Sequence, residues 1–195
     1  MNNSGKYVFI LFLLVILIFG VYQLYSAYEI DEDVEKLSEE ELAFDTKEDF
    51  GKALFFDPNL SIDRSISCAT CHKPALAFTD GLRKSEGVEG NLSFRNAPTL
   101  LNMADSPVFM FDAHVKTLEE QATVPIQDTN EMNMPMGTLV KRLNEVPHYV
   151  DAARQLYHRD LDAYVITRAL ASFQRSLESK NSKFDRFLNG QGEIS

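Results

Sequence analysis

The stretch Cys68-Ala69-Thr70-Cys71-His72 constrains this chain more than any other. Two thiols separated by two residues can reach the two vinyl groups on one edge of a porphyrin and form thioethers. The adjacent His72 then lies under the ring and can give its imidazole to iron as the proximal ligand. The same spacing also serves zinc and redox chemistry. Structural zinc takes about four ligands, and Cys68 and Cys71 are the only 2 cysteines in the sequence. His114, His148 and His158 show no tight ligand spacing with them. A thioredoxin-like motif calls for a preceding strand within a βαβ pattern, and neither is visible. The motif therefore reads as the attachment site of one covalent heme c. Cys68 and Cys71 are its thioether residues and His72 is its iron ligand.

The formal charge of -10 is local. Residues 29–49 hold 11 acidic and 2 basic residues, so the remainder, with 18 acidic and 17 basic, is close to neutral. No basic stripe marks a nucleic-acid surface. Residues 7–25 are nearly all apolar. A helix of that length measures about 28 Å, against ~30 Å of bilayer hydrocarbon. Lys6 precedes the run and acids follow it, which favours a cytoplasmic N-terminus. The candidate cleavage site, Tyr25-Ser26-Ala27, has a bulky first member, so an uncleaved anchor is favoured over a cleaved signal. The expected layout is an N-terminal membrane anchor or signal over 1–28, an acidic linker over 29–45 and a heme domain over 46–195. The expected location is a bacterial cytoplasmic membrane crossed once, with the heme domain facing the periplasm or exterior. With both cysteines taken by heme, no disulfide forms within the chain.

Apolar spacing and capping residues predict short helices over 49–56, 99–103, 117–124, 138–145, 147–158, 161–177 and 182–188. Asp57-Pro58-Asn59 stops the first, and Pro125 is expected to end the third. Pro147 suits the first residue of its helix. Leu161, Tyr164, Val165, Ala169, Phe173 and Leu177 make an apolar stripe on the longest. Residues 79–98 carry Gly81, Gly87, Gly90 and Pro98 with few apolar side chains, which reads as a long loop. No strand alternation is convincing. The fold class expected is all-α: a cytochrome c-like heme domain with long loops, preceded by an N-terminal transmembrane helix.

Several blocks then fall in one recognisable order. They are Gly-Lys-Ala-Leu-Phe-Phe-Asp-Pro-Asn-Leu-Ser at 51–61, Ser-Ile-Ser-Cys-Ala-Thr-Cys-His at 65–72 and Phe-Thr-Asp-Gly at 78–81. Next come Arg-Asn-Ala-Pro-Thr-Leu-Leu-Asn at 95–102, Leu-Glu-Glu-Gln-Ala at 118–122, Glu-Met at 131–132 and Phe-Asp-Arg-Phe-Leu at 184–188. In these the chain resembles the N-terminal, peroxidatic half of the bacterial diheme cytochrome c peroxidases. It also resembles the related diheme enzyme that matures the tryptophan-derived cofactor of methylamine dehydrogenase. The resemblance implies reduction of hydrogen peroxide to water at the heme. It assigns Gln121 and Glu131 to the catalytic pocket, Pro125 to the distal face of the heme, Arg95 to heme contact and Asn96 to a calcium site whose other ligands lie in a second domain. Reducing peroxide requires a proton to pass between its two oxygens before the O–O bond breaks. A desolvated carboxylate such as Glu131 can carry it, and Gln121 can orient the peroxide.

Where some members of that family carry a blocking histidine, this chain has Val88, so an open ferric heme is expected. Where they carry a relay tryptophan, it has Phe111, and His114 replaces the following arginine. The partners implied are an electron-donor protein, a small cytochrome or cupredoxin, and a second heme domain, which a split pair would carry on a separate chain. A truncated product, one half of a split pair and a single-heme protein all fit the single motif. Two other functions stand beside the peroxidase. One is an electron-transfer cytochrome using a thioether from Met132, Met134 or Met136. The other is a non-catalytic heme subunit of a split diheme enzyme.

Overall fold

The computed structural model describes residue 13, residues 16–23 and residues 44–193. The chain divides into two units, Met1–Ala43 and Phe44–Ser195. In the first, residues 16–23 are helical. Among the described residues no helix is long and apolar enough to cross a membrane. This corrects the expectation of an N-terminal transmembrane helix, and the single-pass membrane location falls with it. The rest of the apolar run, and most of the acidic stretch over 29–45, lie outside the described residues.

The second unit is helical. Its elements are α1 (Lys47–Phe56), α2 (Cys68–Cys71), α3 (Leu118–Gln127), α4 (Met136–Leu143), α5 (Pro147–Tyr157), α6 (Ala163–Ser176) and α7 (Lys183–Leu188), with single 3-10 turns at Pro58–Leu60, Pro74–Leu76 and Val88–Gly90. Only isolated antiparallel bridges, such as Lys73 with Thr79, occur among the described residues.

Helix α1 starts at Thr46, whose hydroxyl accepts from the Asp49 N–H at 3.1 Å. Its acidic first turn suits the positive end of the helix dipole. It buries Phe50, Leu54 and Phe55 against Val165, Ile166, Ala169 and Leu170 of α6. Each such side chain contributes about 1.5–3 kcal/mol when withdrawn from water. Gly51 lets the two helices approach, since a Cβ there would lie 1.8 Å from the Ala169 carbonyl oxygen. Asp57 then turns extended before Pro58, as the proline ring requires. The loop leading into α2 is held by Arg142 of α4. Its guanidinium donates to the carbonyls of Asn59 (2.9 Å), Ser61 (2.6 Å) and Ile62 (2.9 Å).

Three local expectations change. Pro125 sits inside α3 rather than ending it, and the helix runs to Gln127. The proline removes one N–H, but the returning chain caps the last turn. Met132 N–H donates to Pro125 O at 3.2 Å and Met134 N–H to Ile126 O at 2.7 Å. Residues 99–103 form a turn instead of a helix, because Asn102 takes a positive φ of 60°. Its N–H donates to Leu177 O and its side chain accepts from Ser179 N–H, each at 2.8 Å. Tyr164, expected on the apolar stripe of α6, is 44% exposed. It is covered by the guanidinium groups of Arg159 and Arg168, 4.4 and 3.4 Å from its ring centre.

Candidate heme pocket

A pocket of about 610 Å³, part of it open to solvent, lies between α1, α2, α3, α6 and the loops after α2 and α3. Helix α2 is a single turn, braced by the Ser67 N–H donating to Thr70 Oγ1 at 3.0 Å. It presents Cys68 and Cys71 to the pocket and is followed at once by His72. The His72 Nδ1 lies 2.9 Å from the Phe78 carbonyl. A carbonyl only accepts, so Nδ1 carries the proton and Nε2 keeps its lone pair for a metal. Burial pushes the imidazole below its ordinary pKa, against the Phe78 and Pro98 carbonyls, so it stays neutral.

Redox and metal-binding C-x-x-C pairs have depressed thiols. Here burial pushes Cys68 up to about 12, and burial raises Cys71 as well. With a free Nε2 and two half-buried thiols lining one pocket, the residues fit a c-type heme. Two further pocket atoms, Ser85 Oγ and Gln174 Oε1, are buried without a hydrogen-bond partner among the described residues. Orphaned groups of this kind are rare in a finished interior and fit a pocket made to hold a ligand.

Helix α3 brings Gln121 and Pro125 to the same pocket, and the loop after it brings Glu131 and Met132. Burial pushes the Glu131 carboxyl above the usual carboxylate range and the Asp128 charge adds to it, with no hydrogen bond pulling the other way. The long loop is fastened to this segment: the Val88 N–H donates to the Glu131 carbonyl at 2.8 Å. A Cβ on Gly87 would lie 2.1 Å from the Asn130 carbonyl oxygen, so only glycine allows that approach. The Val88 side chain is buried and does not line the pocket, and His72 is the one histidine among the described lining residues.

Six of the eight candidates thus meet in one pocket: Cys68, Cys71, His72, Gln121, Pro125 and Glu131. Arg95 does not; its guanidinium lies 4.1 Å from the ring centre of Phe111, which is itself 82% exposed. Asn96 is exposed. Among the described residues no group of three or more His, Cys, Asp or Glu side chains could hold a metal ion. His114 pairs on the surface with Asp112 at 2.7 Å. Of the three methionines, Met132 lines the pocket while Met134 is fully buried in the core. Ser85 and Gln174 were not among the sequence candidates. The available signal was Gln174 itself, a polar residue one turn after Leu170 on a buried helix face.

Residues 45–193 match the family described as di-haem cytochrome c peroxidase. The methylamine utilization protein MauG of Methylorubrum extorquens is 44% identical over 142 residues, covering 72% of this chain and 40% of that protein. The cytochrome c551 peroxidase of Pseudomonas aeruginosa is 32% identical over 145 residues, covering 73% and 42%. Among solved structures, the diheme peroxidase BthA from Burkholderia thailandensis superposes with a TM-score of 0.68 at 27% identity, covering 78% of this chain and 44% of that one. A MauG-like protein associated with microbial copper homeostasis gives 0.71 at 26% identity, covering 78% and 46%. The chain spans about two fifths of the length of the curated relatives it matches. From its pocket and from these matches, the chain belongs to the di-haem cytochrome c peroxidase family.

Proposed function

We propose that this chain provides the hydrogen peroxide-reducing heme domain of a diheme peroxidase, with electrons arriving from a donor protein through a second heme domain. The observation that carries the reading is the Glu131 carboxyl, raised by burial and free of hydrogen bonds that would hold it ionised, in the same pocket as His72. Heme, when bound, supplies the redox chemistry that accepts donor electrons and passes them to the oxygen–oxygen bond. The chain's own residues do the rest. His72 would hold the iron through Nε2, with the Phe78 carbonyl fixing the tautomer. Glu131 takes a proton from one peroxide oxygen and returns it to the other, which leaves as water. Gln121 orients the peroxide, and Pro125 and Ala122 keep that side of the pocket apolar. Two electrons and two protons convert each peroxide to two waters.

Glu131→Gln keeps the size of the side chain and removes the proton carrier. Positioned acid–base groups contribute about 10²–10⁴-fold, so peroxide turnover with a reduced donor should fall by that factor while heme content is unchanged. Full turnover in this variant refutes the role. The absence of a histidine at Val88 supports an open sixth position, and a low-spin bis-histidine spectrum of the ferric protein would contradict it.

A second reading rests on Met132, whose side chain also lines the pocket. A methionine thioether as second axial ligand makes an electron-transfer cytochrome. Its mark is a weak ferric band near ~695 nm, expected of His/Met ligation; an open peroxide site lacks it.

A further inference from the structure

We propose that Gln174 is a second substrate-binding amide, acting from α6 beside Gln121 of α3 on a small uncharged oxygen ligand of the hydrogen peroxide class. The inference rests on the peroxide-reducing reading above. Gln174 is 5% exposed, lines the pocket, and has its Oε1 buried without a partner among the described residues. A buried carbonyl oxygen without a donor is costly, and a ligand that donates a hydrogen bond to it removes that cost.

The packing of α3 on α6 brings the two amides to one region. Leu118 packs with Ala171, and Arg175 forms a two-pronged ion pair with Glu119, both contacts at 2.9 Å. Gln121 and Gln174 each stand within one turn of these contacts, and both face the pocket. The alternative oxygen source is a carboxylate on the rim of the bound porphyrin. The described pocket lining contains no lysine or arginine to neutralise such an anion, and it already holds two acids, Glu86 and Glu131, the second biased toward the neutral form. A pocket of this polarity suits an uncharged ligand. An amide offers such a ligand both an N–H donor and a C=O acceptor, which matches the HO–OH group.

The test uses the heme-loaded full chain and two variants of near-equal volume, Gln174→Met and Gln174→Glu. The probe is fluoride, a small hydrogen-bond acceptor whose charge ferric iron would balance and which reads the N–H end of the amide, titrated optically on the ferric protein at fixed pH. One lost hydrogen bond should raise the fluoride Kd by roughly 2–13-fold and raise KM for peroxide more than it lowers kcat. Heme content and the reduced spectrum should stay unchanged. A folded Gln174→Met protein with wild-type fluoride affinity overturns the assignment. An altered reduced spectrum with unchanged fluoride affinity assigns Gln174 to the porphyrin rim and also overturns it. If the wild type binds fluoride but consumes no peroxide, the peroxidase reading fails while the fluoride series still judges Gln174. A wild type that binds no fluoride overturns the open pocket and this inference together.

Discussion

The two walls of the pocket are built on opposite principles. At His72 and the start of α2 the backbone and ring polar groups are paired within the chain. Nδ1 is paired to Phe78 O, the His72 N–H to Cys68 O at 2.9 Å, and the Ser67 N–H to Thr70 Oγ1. Around Glu131 the backbone is pinned in the same way, through the Val88 N–H and the returning hydrogen bonds to Pro125 and Ile126. Its side chains are not: among the described residues the Glu131 carboxyl meets no hydrogen bond that lowers its pKa, and the Gln174 carbonyl oxygen is buried without a partner. Satisfied groups stay where they are and keep one protonation state. Unsatisfied groups in a low-dielectric pocket are available to a ligand and sit in a changed pKa range. On the proposed function, one wall would hold the heme and the other would act on the ligand.

This contrast can be broken at its strongest point first. His72→Ala removes the one histidine in the described lining and with it the nitrogen that the Phe78 carbonyl prepares. Peroxide turnover should fall to the level of free heme, and the optical spectrum should lose its histidine-ligated form. A variant that keeps the wild-type spectrum would show that another side chain holds the iron.

The holding wall also depends on the approach of α1 to α6. Gly51→Ala places a methyl group against the Ala169 backbone, and neither helix can yield without disturbing Phe55 and Leu170 at the pocket. Overpacking of this kind costs about 1–3 kcal/mol, read as a lower melting temperature of the heme-loaded protein. Arg142→Met removes three donors to the loop entering α2. It should destabilise by roughly 2 kcal/mol while leaving the Glu131 side intact, given ~1.5–3 kcal/mol for hydrogen bonds to charged groups.

The smallest effect sharpens the reacting wall. The folded pKa of Glu131 is raised, so between its unfolded value and that raised value the native state holds more proton than the unfolded state. Stability from this group is present below the unfolded pKa and is lost as pH rises through the folded pKa. Glu131→Gln should therefore be more stable than wild type at neutral pH, with the difference shrinking on acidification to about pH 4. Denaturant melts across that range check it; a difference that grows toward low pH would mean that the carboxyl is held ionised.

Much of the helical layout was readable in the chain. Thr117 stands as the cap of α3, and Pro147 opens α5. Local chemistry decides such features within a few residues. Pro125 and Asn102 were misjudged because their compensating hydrogen bonds come from residues 132–134 and 177–179, which no local rule weighs. Six site residues were legible, the motif from its own spacing and Gln121, Pro125 and Glu131 from family resemblance. Arg95 and Asn96, taken from the same resemblance, lie outside the pocket.

By itself, the sequence determined that heme is covalently held, because two thiols and an imidazole at that spacing leave little other chemistry. Tertiary structure alone decided which polar groups would be left without partners. The pKa of Glu131 and the orphaned Gln174 are consequences of burial. Burial depends on α3 packing on α6 and on a glycine-permitted approach of residue 87 to residue 130, contacts between segments far apart in the chain. Spacing can name a ligand, but only packing can withhold a hydrogen bond.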